Sequence, residues 1–138
     1  MIVYFDTSAL LKLLIEEAGS DIAERLWDGA ERVIGSRLVI PETAAALAAA
    51  RRATRISGSR HAWAKKLMAQ RHTQMNLVDP TMSLCHAASE LAEVHALRGY
   101  DAVHLVSALL VREGITVATW DGDLSRAARA EGLATAGV

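Results

Sequence analysis

The chain has 138 residues, enough for one well-packed domain and too few for two. With 51% hydrophobic residues, 22% charged residues and a net charge of −1, its composition is that of a globular protein and excludes a disordered chain. One cysteine, Cys85, excludes an intrachain disulfide and is typical of a reducing cytoplasm. Since there is no basic leader and no uncharged stretch near the ~18 residues of a membrane-spanning helix, we expect neither secretion nor membrane insertion.

The first predicted element is a strand over residues 2–5, whose side chains are β-branched or aromatic without polar alternation. This pattern is typical of a strand buried on both faces of a parallel sheet. Asp6 follows directly, and Thr7 or Ser8 is positioned to cap the helix that comes next. Asp6 is therefore predicted to lie at the carboxyl end of a strand, where ligands collect in open α/β sheets.

The rest of the chain alternates predicted helices and short strands. Helices are predicted over residues 20–27, from between 37 and 41 to 55, and over 60–73, 80–99, 100–113 and 123–131. Strands are predicted over residues 33–36, 77–78, 115–119 and 133–138. This alternation predicts a single α/β domain over residues 1–138, with a doubly wound parallel sheet of about five strands.

Four acidic residues occupy comparable places, either after a strand or at a helix start: Asp6, Glu42, Asp101 and Asp121. The helix after Asp101 is apolar nearly all round and must be buried, so a carboxylate at its head needs a partner. Taken singly, each acid is most simply a helix cap or a surface charge. Together, their positions favour convergence on one site.

Convergence has an electrostatic cost, because two carboxylates ~4 Å apart repel by roughly 4 kcal/mol at an effective dielectric constant of 20. We expect no matching Lys or Arg near these acids in the sequence. They would therefore require a divalent cation or would stay protonated, and hard oxygen ligands select Mg²⁺ or Mn²⁺. Such an ion can activate water and stabilise charge on a phosphodiester.

Other chemistries have little support. The chain has no phosphate-binding glycine loop, no zinc-spaced cysteine and histidine cluster and no G-x-S-x-G motif. Its five histidines are scattered, and a packing or surface role is favoured for each. His104, one turn after Asp101, is the histidine most worth testing.

Residues 43–78 contain no acidic residue but hold 7 of the 15 cationic side chains. A solvated helical surface is the simpler interpretation, whereas the absence of acids favours a surface that faces a polyanion. The candidate phosphate contacts are Arg51, Arg52, Arg55, Lys65 and Lys66. We expect Trp63 to be buried between two helices, with stacking on a base as the alternative.

Four segments resemble the PIN-domain ribonucleases, and among them the VapC-type toxins of toxin–antitoxin pairs. The segments are FDTSALLKLL at the start, PETAAAL around Glu42, LRGYDAVHLVSAL around Asp101 and ATWDGDLSRAA around Asp121. The resemblance covers essentially the whole chain and implies a three-layer sandwich. It assigns Asp6, Glu42, Asp101 and Asp121 to the acidic site.

The same resemblance implies supporting residues and partners. Thr7, Ser8 and Thr119 are expected to orient the acids, and Asp123 competes with Asp121 for the fourth acidic position. We expect Asp121 to face the cleft and Asp123 to cap the next helix. The family implies Mg²⁺- or Mn²⁺-dependent cleavage of structured RNA such as tRNA or rRNA, a homodimer and inhibition by a cognate antitoxin.

Two other classes of function stay open. A catalytically weak PIN-like module would act through its antitoxin on operator DNA. An aspartate-based phosphotransfer protein would use Asp6 as nucleophile, although such phosphatases usually carry a second aspartate where this chain has Ser8.

Overall fold

The structure, a computed structural model, describes residues 1–138. Five strands alternate with seven helices, none of which is both long and apolar enough to cross a membrane. The strands are β1 (Ile2–Phe5), β2 (Arg32–Ser36), β3 (Asn76–Val78), β4 (Ile115–Thr119) and β5 (Ala134–Gly137). The helices are α1 (Thr7–Leu14), α2 (Ser20–Gly29), α3 (Val39–Arg52), α4 (Gly58–Thr73), α5 (Met82–His95), α6 (Gly99–Leu109) and α7 (Gly122–Ala130).

The five strands form one parallel sheet in the order β3-β2-β1-β4-β5. Successive side chains of β1 enter different cores. Val3 and Phe5 pack with α1 to α4, whereas Tyr4 packs with α5 to α7. Helices therefore cover both faces of the sheet, which confirms the predicted three-layer α/β sandwich.

The strand order reverses at β1. The chain adds β2 and β3 on one side of β1 and then places β4 and β5 on the other. In such sheets the loops after the two strands at the reversal separate and leave a crevice. Asp6 follows β1 directly and Asp121 is the second residue after β4, so two of the predicted acidic positions border this crevice.

The structure corrects several local predictions. Helix α5 begins at Met82, two residues beyond the predicted start, because the Thr81 hydroxyl caps it by accepting from the backbone N of Leu84. Helix α6 ends at Leu109, short of the predicted end at residue 113. Inside the predicted helix over residues 80–99, Cys85 is most simply a small buried hydrophobic residue, but the structure leaves it exposed.

Candidate active site

Asp6 is almost fully buried, with 4% of its surface exposed, and three donors hold its carboxylate. Oδ1 accepts hydrogen bonds from the backbone N of Ala9 at 2.8 Å and from Oγ of Ser8 at 2.7 Å. Oδ2 accepts a hydrogen bond from Oγ1 of Thr119 at 2.6 Å. Asp6 itself therefore caps α1, and the expectation that Thr7 or Ser8 supplies the cap is wrong.

The donors around Asp6 lower its pKa only in part. Burial raises the pKa of the Asp6 carboxyl above its ordinary value, and this effect exceeds the opposing influence of His104 and of the three hydrogen bonds. An ionised Asp6 is thus costly to the metal-free fold, which is the situation that a nearby cation would relieve.

Ser8 and Thr119 link Asp6 to the segment after β4. The Ser8 hydroxyl accepts a hydrogen bond from the backbone N of Trp120 at 2.8 Å. The Thr119 hydroxyl accepts one from the backbone N of Asp121 at 3.0 Å. The predicted orienting role of these two hydroxyls matches this geometry, because each contacts Asp6 and also fixes the neighbouring backbone.

Glu42 receives two hydrogen bonds on one oxygen. Its Oε1 accepts from Oγ1 of Thr7 at 3.0 Å and lies 2.8 Å from Nε2 of His104. The other ring nitrogen of His104, Nδ1, lies 2.8 Å from the Tyr4 hydroxyl, and both rings are buried. An ionised carboxylate only accepts, so Nε2 donates to Glu42, and in the neutral ring Nδ1 then accepts from the Tyr4 hydroxyl. Burial raises the pKa of Tyr4 well above its ordinary value, which keeps that proton in place.

Arg98 joins the remaining two acids. Its Nε donates to Oδ2 of Asp101 at 2.9 Å, and its Nη2 donates to Oδ2 of Asp121 at 2.8 Å. Asp101 is 6% exposed, and burial raises its pKa more than the Arg98 hydrogen bond lowers it. The other oxygen of Asp121, Oδ1, caps α7 by accepting from the backbone N of Leu124 at 3.0 Å.

One cavity of about 520 Å³ brings these groups together. Its polar lining comes from α1, α3, α6 and the segments that precede α1, α6 and α7, and consists of Asp6, Thr7, Ser8, Glu42, Arg98, Tyr100, Asp101, His104 and Asp121. The four acids that the resemblance assigned to one site therefore do share one cavity.

The donor set of this cavity fits a hard divalent cation, because four carboxylates line it and carboxylate oxygens are preferred by Mg²⁺ and Mn²⁺. As the side chains stand, no group of three or more acidic, histidine or cysteine residues is close enough to hold an ion. Two contacts account for this spacing. Glu42 turns toward His104, and the guanidinium of Arg98 lies between Asp101 and Asp121.

Asp123 lies outside the cavity lining. Its side chain is 70% exposed and its carboxylate approaches Arg126 at 3.5 Å. The expectation that Asp123 caps the last helix is wrong, since Asp121 both faces the cavity and makes the cap. The structure thus gives Asp123 no contact that would make it the fourth carboxylate.

Two members of the site, Arg98 and Tyr4, were not predicted from the sequence. Arg98 precedes Asp101 by three residues, so the statement that no cation lies near the acids in sequence is wrong. The sequence predicts Tyr4 only as part of a buried strand. Its side chain lies in the core with α6, where its hydroxyl contacts Nδ1 of His104. The signal for Arg98 was present, because residues three apart at a helix start lie side by side.

The predicted basic segment lies apart from the cavity. None of Arg51, Arg52, Arg55, Lys65 and Lys66 lines it, and Arg55 approaches Glu17 at 3.6 Å. The expectation that Trp63 is buried is wrong: its side chain is 45% exposed, with Arg60 4.5 Å from the ring centroid.

Comparison with known proteins assigns the family. Residues 3–130 match the PIN domain. The chain belongs to the PIN-domain family. Ribonuclease VapC45 of Mycobacterium tuberculosis is 45% identical over 136 residues, which span 98% of this chain and 94% of that protein. The resemblance to VapC-type ribonucleases is thereby confirmed.

Solved structures agree with this PIN-domain assignment. The crystal structure of M. tuberculosis VapC20, a sarcin-ricin loop cleaving toxin, is 25% identical with a TM-score of 0.69 and covers 99% of this chain and 98% of its own. VapBC2 of Rickettsia felis, bound to a promoter DNA fragment, is 15% identical with a TM-score of 0.64. The match covers 99% of this chain and 98% of that chain. The second likeness supports the fold alone.

Replacing Asp6 by Asn should stabilise the metal-free protein. At neutral pH an acid with a raised pKa destabilises the folded state, because its ionisation costs more there than in the unfolded chain. Asn keeps the Oδ1 cap and removes the buried charge. In EDTA the melting temperature should rise by ~3 °C, about 1 kcal/mol for a domain of this size. A fall in EDTA would contradict this account of Asp6.

Replacing Tyr4 by Phe should allow His104 to adopt both of its neutral tautomers. In long-range ¹H–¹⁵N spectra we expect the His104 ring of the wild type to show only the tautomer protonated at Nε2. The reason is that the Tyr4 hydroxyl donates to Nδ1. The variant should show tautomer exchange and lose about 1–3 kcal/mol of unfolding free energy for the unpaired nitrogen. Exposed Tyr100, changed to Phe, removes the same atom as a control. Identical His104 spectra in the three proteins would refute the assignment.

Proposed function

We propose that this PIN-domain protein is an endoribonuclease that depends on Mg²⁺ or Mn²⁺ and acts as the toxin of a type II toxin–antitoxin pair. Its substrate would be structured RNA, tRNA or rRNA, whose cleavage inhibits translation. The observation that carries the proposal is the cavity in which Asp6, Glu42, Asp101 and Asp121 meet at the reversal of the strand order.

The carboxylates divide into two roles. Asp6, Asp101 and Asp121 are the residues that would hold the metal, and the bound ion supplies Lewis-acid stabilisation of charge at the phosphodiester. Glu42 would act as the base. Thr7 and His104 both contact its Oε1, which leaves Oε2 to accept a proton from the attacking water.

RNA contacts beyond the cavity would follow α3. Glu42 lies in the first turn of this helix and Arg51 in the last, ~14 Å further along the axis. The cations at the end of α3 and on α4 would then contact phosphates on either side of the cleaved bond, whereas the acids alone would repel RNA. This extends the proposal to Arg51, Arg52, Arg55, Lys65 and Lys66.

The proposed partners are a cognate antitoxin and a second copy of the chain. An antitoxin is supported by likeness to a solved structure described as a toxin–antitoxin complex from Klebsiella pneumoniae. The homodimer and a cytoplasmic location rest on the family resemblance and on the single cysteine.

The phosphotransfer alternative is disfavoured by the residue two positions after Asp6. Ser8, whose hydroxyl donates to Oδ1 of Asp6, stands where aspartate-based phosphatases usually carry their second aspartate. The operator-binding alternative predicts a protein that binds but does not cleave, and RNA cleavage by the purified chain separates the two.

Purified protein should cleave structured RNA in Mg²⁺ or Mn²⁺ and lose this activity in EDTA. Replacing Asp101 by Asn should lower the cleavage rate by roughly 100-fold or more, because a metal-binding charge is lost. Asp123, changed to Asn, is the matched control, since it also lies in a first helical turn but is exposed. Equal activity of the two variants, followed by gel electrophoresis of labelled RNA, would remove Asp101 from the site.

The double change Lys65→Gln and Lys66→Gln should flatten the salt dependence of RNA binding. Each lost phosphate contact lowers the slope of log affinity against log salt by ~0.7 for single-stranded RNA. Affinity should fall alike for different RNA sequences, and Mn²⁺ affinity should not change. A double Gln variant of Arg25 and Arg32, exposed on other surfaces, serves as control. Superimposable salt titrations of the two variants and wild type would show that the segment is only a solvated surface.

A further inference from the structure

Arg98 is the only lysine or arginine that lines the acidic cavity. It lies at the mouth, with 60% of its side chain exposed, just before the first residue of α6. Its guanidinium lies 5.0 Å from the centroid of the Tyr100 ring, and Nε and Nη2 each donate to a carboxylate. The side chain is therefore held by three contacts at the entrance to the site.

Arg98 donates to carboxylate oxygens that a metal ion would need as ligands. Oδ1 of Asp121 is engaged as the cap of α7, so Oδ2 is the oxygen that remains for a ligand. Arg98 Nη2 donates to that oxygen. A divalent ion that binds Asp121 in this geometry must therefore displace the guanidinium or share its acceptor at a cost in charge repulsion.

A displaced Arg98 stays at the cavity mouth. The residue precedes a helix and is largely exposed, so its side chain can turn outward without disturbing the core. A guanidinium freed from carboxylates presents a planar pair of donors that suits a phosphate group. An RNA strand entering the cavity brings phosphates to this position.

We propose that Arg98 exchanges partners during the reaction cycle. In the metal-free protein Arg98 neutralises Asp101 and Asp121. Once these acids hold a divalent ion, the Arg98 guanidinium binds a phosphate of the RNA substrate. The phosphate contact rests on the proposed ribonuclease function, whereas the competition with metal does not. Because such coupling is reciprocal, metal should tighten RNA binding and RNA should tighten metal binding through this one side chain.

Calorimetric titration with Mn²⁺, in the absence of nucleic acid, tests the competition. Replacing Arg98 by Gln should tighten Mn²⁺ binding by roughly tenfold, because a competing positive charge near the ion is removed. Arg98→Lys should bind Mn²⁺ with intermediate affinity, since an ammonium group is not a planar fork that spans both carboxylates. Arg37→Gln is the control, because Arg37 forms an exposed arginine–aspartate pair with Asp79 outside the cavity.

A labelled DNA oligonucleotide tests the phosphate contact, because it carries the same phosphates as RNA and a ribonuclease leaves it intact. Its affinity for the wild type, measured by fluorescence anisotropy, should rise on addition of Mn²⁺ more than its affinity for the Arg98→Gln variant does. An equal rise in the two proteins would overturn the phosphate contact.

The outcomes separate this inference from the proposed function. Unchanged or weaker Mn²⁺ binding by a folded Arg98→Gln variant would overturn the exchange, even if the wild type cleaves RNA. Tighter Mn²⁺ binding by the variant, together with a wild type that cleaves no RNA under any metal, would support the competition and overturn the ribonuclease proposal. Circular dichroism of each variant establishes that it is folded.

Discussion

The carboxylate of Asp6 is the constraint on which the site depends. Its hydrogen bonds cap α1 and connect the end of β1 to Thr119 at the end of β4, so one buried side chain joins two central strands and a helix. Burial makes that charge unfavourable, as its raised pKa indicates. An ionised Asp6 thus lowers the stability of the metal-free fold at the point where a cation is expected. Such a loss of stability is common at functional sites.

The remaining acids are balanced by neutral or positive groups. Glu42 is held by the Thr7 hydroxyl and the His104 imidazole, whereas Asp101 and Asp121 share the positive charge of Arg98. This difference separates a carboxylate suited to proton transfer from carboxylates suited to a cation. The geometry of the cavity therefore supports the proposed division of roles.

Patterns that depend on burial could be predicted from the sequence, and those that depend on side-chain direction could not. The sheet could be predicted from the apolar runs of β1 and β4 and from the alternation of helices and strands. The four acids could be assigned to one site because each follows a strand or lies at a helix start. The cap of α1 was missed because Asp6, Thr7 and Ser8 are all competent caps and only the register of Ala9 decides among them. The contact of Arg98 with Asp101, three residues on, could have been predicted, but its contact with Asp121 joins residues 23 positions apart and could not.

The most direct test of the account is the position of a bound ion in crystals soaked with Mn²⁺. The anomalous signal of manganese should appear among the carboxylates of Asp6, Asp101 and Asp121, with the guanidinium of Arg98 turned away from Asp121. A cavity without manganese at saturating Mn²⁺, with Arg98 still bridging the two aspartates, would contradict the central claim that these acids form a metal site.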